Sequence, residues 1–177
     1  TSVGLRFSRK RINADAPELF SYPFLYITGH CDFRLSETAV RNLRRHLRAG
    51  GFLLADSCCG RLAFHVAFKR EMARVFPDRT LKALDPEHPI FHALYEVSSP
   101  DLTPRAQASG RFGGLTVPYL EGIEINGTLR VLYSPLDLGN GWEGIPHPYT
   151  MGYGQQCALH IGANAVNAFT HQHEEIA

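Results

Sequence analysis

The sequence predicts a single α/β domain, residues 1–177, built on a mainly parallel sheet with an added β-hairpin. Two short apolar runs, residues 23–29 and 51–55, lack the polar alternation of a half-solvated strand, and a helical pattern follows each of them. A third observation is Asn126-Gly127, the strongest two-residue hairpin signal, set between Ile123 and Ile125 on one side and Leu129 and Val131 on the other. Strand, helix, strand, helix is the order of parallel strands joined by helical crossovers. At 177 residues and 44% apolar, the chain suffices for one substantial core.

The elements follow in chain order. Val3, Leu5 and Phe7 alternate with small or polar neighbours and predict a short first strand, followed by the solvated basic turn Arg9-Lys10-Arg11. Residues 23–29, PFLYITG, form a buried strand. Ser36 then stands as an N-cap, with Glu37 in the first helical turn and Val40, Leu43 and Leu47 at helical spacing. Arg44, Arg45 and Arg48 lie near that helix's end, and Gly50-Gly51 stops it. After the strand GFLLA at 51–55, Phe64, Phe68, Met72 and Val75 mark an amphipathic helix running from Cys59 to Val75 and stopped by Pro77. Residues 78–118 are rich in Pro and Gly and read mostly as loop. Beyond the hairpin, the run from Arg130 to Ser134 leads into a long loop, Asp137 to Gly154, whose length marks it as a lid candidate. A last helix carries Ala158, Ile161, Ala165 and Phe169 on one side.

Composition excludes several functions. The 18 basic and 17 acidic residues leave a net charge of +1, with no field to hold a nucleic acid or an anionic membrane across the whole surface. No apolar run approaches the roughly 18 residues that a membrane span needs, so the expectation is a soluble chain with a small-molecule ligand, its compartment open. Four cysteines are too few for a disulfide scaffold, and a Cys58-Cys59 bridge would be strained, so the thiols are expected to be free.

In open parallel sheets, ligands collect beyond the carboxyl ends of the strands, where loops diverge and helix N-termini point in. The strand at 23–29 delivers His30, Cys31 and Asp32 there, and the strand at 51–55 delivers Asp56, Ser57, Cys58 and Cys59. The strand at 130–134 delivers Asp137, with Trp142 and Glu143 further along its loop. If the first two strands are neighbours, His30 and the 56–59 segment face one cleft. Cys58 is the candidate nucleophile, because a thiol at a strand-to-helix turn meets the positive end of a helix dipole, and Gly60 lets the turn close. His30 would be its base. Metal ligation by His30, Asp56 and Cys58 is the competing reading, and plain packing with Asp56 as a helix cap is a third. His88 and His92 flank Pro89, which argues for a loop or capping role, and the His171–Glu175 tail reads as solvated.

The segments SYPFLYITGH, LRRHLRAGGFLLADSCCG, FKREMARVFP, DPEHPIF and VLYSPLDLGNGWEG occur in order between about Leu19 and His171. Jointly they resemble a bacterial family known as domain of unknown function 4159. The resemblance implies a three-layer sandwich, flavodoxin-like and similar to the class I glutamine amidotransferases, but brings no established activity, substrate or cofactor. The amidotransferase elbow is Gly-x-Cys-x-Gly. Here Cys58 and Gly60 match it while Asp56 replaces the first glycine, and the local His-x-Glu match, His173-Glu174-Glu175, falls at the chain end. Both departures argue against glutaminase chemistry. Three functions are thus in view: a cleft for a small polar ligand or a metal, a cysteine-dependent hydrolase or amidotransferase-like enzyme, and an interaction module of a larger envelope protein.

Overall fold

The computed structural model describes residues 10–144 and 147–174, with side chains as far as residue 171. Five strands form one sheet in the order β1-β2-β5-β4-β3: β1 Phe24–Gly29, β2 Phe52–Ser57, β3 Lys82–Ala83, β4 Glu121–Ile125 and β5 Thr128–Ser134. β1, β2 and β5 are parallel neighbours, while β4 runs antiparallel to both β5 and β3. The fold is mixed α/β with its parallel strands at the heart of the sheet. The first strand expected at residues 3–7 lies outside the described residues.

Sequence explains why β2 lies inside the sheet, between β1 and β5. All six residues of β2 are buried, as an unalternating apolar run requires when helices cover both faces. Leu53 and Ala55 of β2 and Val131 and Tyr133 of β5 point to one side, joining Val40, Leu43 and Leu47 of α1 (Glu37–Arg48) and Phe64, Phe68 and Met72 of α2 (Leu62–Val75). Phe52, Leu54 and Leu132 point to the other side, where Ala158, Ile161 and Ala165 of α5 (Gln155–Glu174) pack with Ile90 and Phe91. Each such side chain contributes roughly 1.5–3 kcal/mol by leaving water, so the strand parity distributes one sheet between two cores.

Local signals hold where they rest on backbone chemistry. Ser36 Oγ accepts the N–H of Ala39 at 3.0 Å and caps α1, with Glu37 behind it and Arg45, His46 and Arg48 in the last turn. Asn126 and Gly127 both have positive φ, 54° and 76°, as a type I′ hairpin turn demands. A bulge at Ile123/Glu124 shifts the β4–β5 register, so that Ile123 faces Val131 and Ile125 faces Thr128. α2 starts later than the periodicity implies: Cys58–Gly60 is a separate 3-10 turn, and the helix begins at Leu62.

The stretch 78–118 is mostly irregular, as its composition implies, but holds β3, a 3-10 turn at Pro89–Phe91 and α3 (Pro104–Ala108). His88 caps that 3-10 turn, its Nδ1 accepting the N–H of Ile90. Buried Asn164 of α5 then ties the segment down, accepting from the N–H groups of Leu94 and Tyr95 and donating to the carbonyls of Ile90 and Tyr95. The lid candidate at 137–154 is pinned near both ends, because Asp137 bridges to Gly152 and Tyr153 bridges to Leu102. It also contains α4 (Gly139–Glu143).

One histidine is part of the core. His46 faces inward from α1, its Nε2 is buried without a hydrogen-bond partner, and a Cβ on Gly51 would collide with the ring. Burial lowers the His46 imidazole from its ordinary range, and burial likewise lowers His65. A folded-state value below the unfolded one means that the unfolded chain binds more protons as pH falls through about 6.5, so stability is full above that pH and is lost below it. The urea midpoint is expected to drop on going from about pH 7 to pH 5, and His46→Leu to flatten that drop; an unchanged slope in the variant would refute the role of this residue. Gly51→Ala is expected to destabilise by roughly 1–3 kcal/mol through overpacking on the ring.

Candidate functional site

Parallel pairing of β1 with β2 sets Thr28 beside Asp56 and Gly29 beside Ser57, so the next residues, His30 and Cys58, leave the sheet as neighbours. A ring nitrogen of His30 and the sulfurs of Cys58 and Cys59 all lie within 4.8 Å of one another. His30 is exposed, while the two cysteines are half-buried, and all four cysteines of the chain are free thiols. The structure thus brings together the imidazole and the 56–59 turn that sequence reasoning grouped, with Cys59 in the cluster of possible ligand atoms in place of Asp56. Cys59 has φ 54°, a left-handed value uncommon outside glycine, and this turns its thiol back beside that of Cys58. The doubled cysteine in the sequence was the available signal for it.

Asp56 and Asp137 stand differently from their sequence assignment as ligand-lining groups. Asp56 is fully buried; its Oδ1 accepts from the Tyr26 hydroxyl at 2.7 Å, and its Oδ2 accepts from the N–H groups of Leu138 at 2.7 Å and Gly139 at 3.1 Å. Burial raises the Asp56 carboxyl above its ordinary range, against the pull of those donors. Asp137 is equally buried, and its Oδ2 accepts the N–H of Cys59 at 2.5 Å while Oδ1 accepts that of Asn140 at 2.8 Å. Both carboxylates are therefore engaged by donors of the protein itself, the Tyr26 hydroxyl and four backbone N–H groups, and Asp56 is not among the clustered ligand atoms. Sequence reasoning missed Tyr26, whose hydroxyl makes the burial of Asp56 tolerable.

The remaining expected residues divide between scaffold and periphery. Gly60 has φ 65°, and a Cβ there would stand 2.7 Å from that of Met151, so this glycine lets the turn close against the 147–154 segment. Trp142 donates its indole N–H to the carbonyl of Ala158 at 2.7 Å and lies 5.4 Å from the Tyr26 ring, docking α4 onto α5. Glu143 ends α4 exposed and outside the cluster. The side chains of His173 to Glu175 lie outside the described residues.

The loop that carries His30 is fastened to α2. Arg70 donates to Asp32 and to the carbonyl of Phe33, Arg74 donates to the carbonyl of Leu35 and to Glu37, and both bind buried Glu71. Glu71 also accepts the N–H of Leu35 at 3.2 Å. Burial alone would raise the Glu71 carboxyl, but Arg70, Leu35 and Arg74 together hold it below its ordinary range.

The Cys58 thiol is not activated as a helix-end nucleophile would be. Burial, then the negative charge of Asp137, then Cys59 and Asp56 push it up to about 12. The physical reason is twofold: α2 begins only at Leu62, and the charges that act on the sulfur are those of carboxylates and another thiol.

Removing the Asp137 carboxylate strands the N–H groups of Cys59 and Asn140. Asp137→Ala is expected to lower the unfolding free energy by roughly 2–4 kcal/mol, while Glu143→Ala changes it by less than about 0.5 kcal/mol. Urea denaturation of the two variants checks this, and equal effects would contradict the clamp.

Among curated proteins the chain finds no match. Residues 1–168 match the model of a family described as domain of unknown function DUF4159. That match takes in both strands that carry the cluster, the Cys58–Gly60 turn after the second of them and α5 as far as residue 168, and the chain belongs to the DUF4159 family.

Proposed function

We propose that this domain binds a divalent, thiophilic cation at the C-terminal rim of its parallel strands, with His30, Cys58 and Cys59 as ligands. The supporting observation is the mutual approach of three ligand atoms to within 4.8 Å from two separate strand ends. Around a tetrahedral zinc ion, such donors stand about 3.5 Å apart, a contraction that side-chain rotation supplies. Two sulfurs and an imidazole suit zinc or cobalt and disfavour magnesium or calcium.

Electrostatics supports the same reading. Asp137 and Asp56 stand behind the sulfurs and oppose their ionisation, and a dication reverses the sign of that effect. The scaffold is stiff where it matters, since Asp137 grips the Cys59 backbone and the Arg70–Glu71–Arg74 network grips the His30 loop. We read the fold itself as flavodoxin-like and related to the class I amidotransferases, and residues 1–177 as one domain. Helices on both faces of the β1-β2-β5 core support this. The even balance of charge favours a small-molecule partner over a nucleic acid.

Titration with cobalt(II), followed by the thiolate-to-cobalt charge-transfer absorption, tests the reading. One equivalent is expected to saturate the band. Cys58→Ser, Cys59→Ser and His30→Ala are each expected to weaken binding by more than the about 10–100-fold that loss of a supporting residue costs. No charge-transfer band, or a band indifferent to these substitutions, overturns it. Rapid, selective alkylation of Cys58 near neutral pH would instead favour a cysteine nucleophile with His30 as base.

A further inference from the structure

We infer that the cation bound by His30, Cys58 and Cys59 keeps one coordination position open to solvent, and that this position takes a neutral oxygen or nitrogen donor from a small molecule. The inference rests on the cation reading above and adds what the ion would do.

The first argument is a count of donors. Among the described residues, His30, Cys58 and Cys59 form the cluster, and no fourth histidine, cysteine or carboxylate joins it. The carboxylates of Asp56 and Asp137 are held in place, because both are buried and each has both oxygens hydrogen-bonded: Asp137 to two backbone N–H groups, Asp56 to two backbone N–H groups and the Tyr26 hydroxyl. Thr150, the hydroxyl beside the cluster, is buried and stands 3.7 Å from the sulfur of Cys59 as its partner. Zinc centres with three protein ligands leave the fourth position to water or substrate, whereas structural centres close it with a fourth side chain.

The second argument is direction. Both cysteines are half-buried, and the Cys59 backbone is held in the protein by Asp137 at its N–H and by the Met151 N–H at its carbonyl, 3.4 Å away. His30 is exposed. An ion among the three has protein behind it and solvent ahead.

The third argument is charge. Two thiolates neutralise a dication and the imidazole adds nothing, so the loaded centre is neutral. The side chains buried beneath the turn, Asp56 and Asp137, take their hydrogen bonds from the Tyr26 hydroxyl and from backbone N–H groups and from no lysine or arginine, so among the described residues the site holds out no cationic partner to an incoming anion, while a neutral carbonyl, hydroxyl or imine nitrogen needs none. The ion would then act as a Lewis acid on that group.

The test uses the full chain loaded with one equivalent of cobalt(II), with imidazole as the neutral probe and azide as the anionic one. Imidazole is expected to shift the visible ligand-field bands saturably, with at least tenfold tighter binding than azide. Cys31→Ser, which removes the exposed thiol next to His30, is expected to leave this response unchanged. Bands that ignore imidazole in the native chain but respond in Cys31→Ser would show the fourth position filled by Cys31 and overturn the inference. Bands that ignore it in both, or azide binding as tightly as imidazole, overturn it as well. Absence of the thiolate-to-cobalt band removes the cation itself, a failure distinct from a bound but closed centre.

Discussion

The rim of this domain depends on two carboxylates buried behind it. A buried carboxylate is costly unless several donors satisfy it, and Asp56 and Asp137 collect five between them, four of which are backbone N–H groups. Those donors come from Cys59, Leu138, Gly139 and Asn140, so the requirement to satisfy the charges fixes the path of two loops at once. It also explains the left-handed backbone of Cys59. A non-glycine residue in that region costs of order 1–3 kcal/mol and persists only where its surroundings over-determine it. The short hydrogen bond from Cys59 to Asp137 and the bond from Met151 to the Cys59 carbonyl do so.

The same logic places the imidazole from the opposite side. Among the described residues β1 is an edge strand, with β2 as its one sheet neighbour and a loop after Gly29. Glu71 holds that loop at a distance: it is the buried anion that Arg70 and Arg74 converge on, and those arginines and Glu71 together take Asp32, Phe33 and Leu35 of the loop. α2 therefore steadies one half of the cluster, while the loops after β5 steady the other half through Asp137. The three ligand atoms belong to one rigid arrangement although their positions derive from separate parts of the chain.

What the sequence made legible was whatever local chemistry decides. The Ser36 cap, the Asn126-Gly127 turn and the burial of β2 each follow from a few adjacent residues, and each is found in place. The pairing of His30 with Cys58 was legible too, given that two consecutive strands become neighbours. The roles of the carboxylates were not. An aspartate at the end of a strand looks the same whether it faces a ligand or a turn's N–H groups, and the donors of Leu138 and Gly139 are 82 and 83 residues away from Asp56. Cys59 was placed at the cleft but not among the ligand atoms, because the positive φ that turns its thiol beside that of Cys58 is set by tertiary contacts. The late start of α2 has a similar origin, since Gly60 is folded against Met151 and the helix can begin only beyond it.

These constraints bear on which chemistry a pair of adjacent thiols can do. A nucleophile needs its proton gone at working pH, and the surroundings of Cys58 oppose that with burial and negative charge together. A cation ligand needs the reverse: a site where negative charge is already concentrated, cannot be relieved by movement, and is offset by the incoming ion. Buried carboxylates locked onto backbone donors meet that need better than exposed ones, because they cannot turn outward to water when the ion is absent. On the proposed reading, the feature that opposes Cys58 as an attacking group is thus the one that would suit it, with Cys59 and His30, to hold a metal.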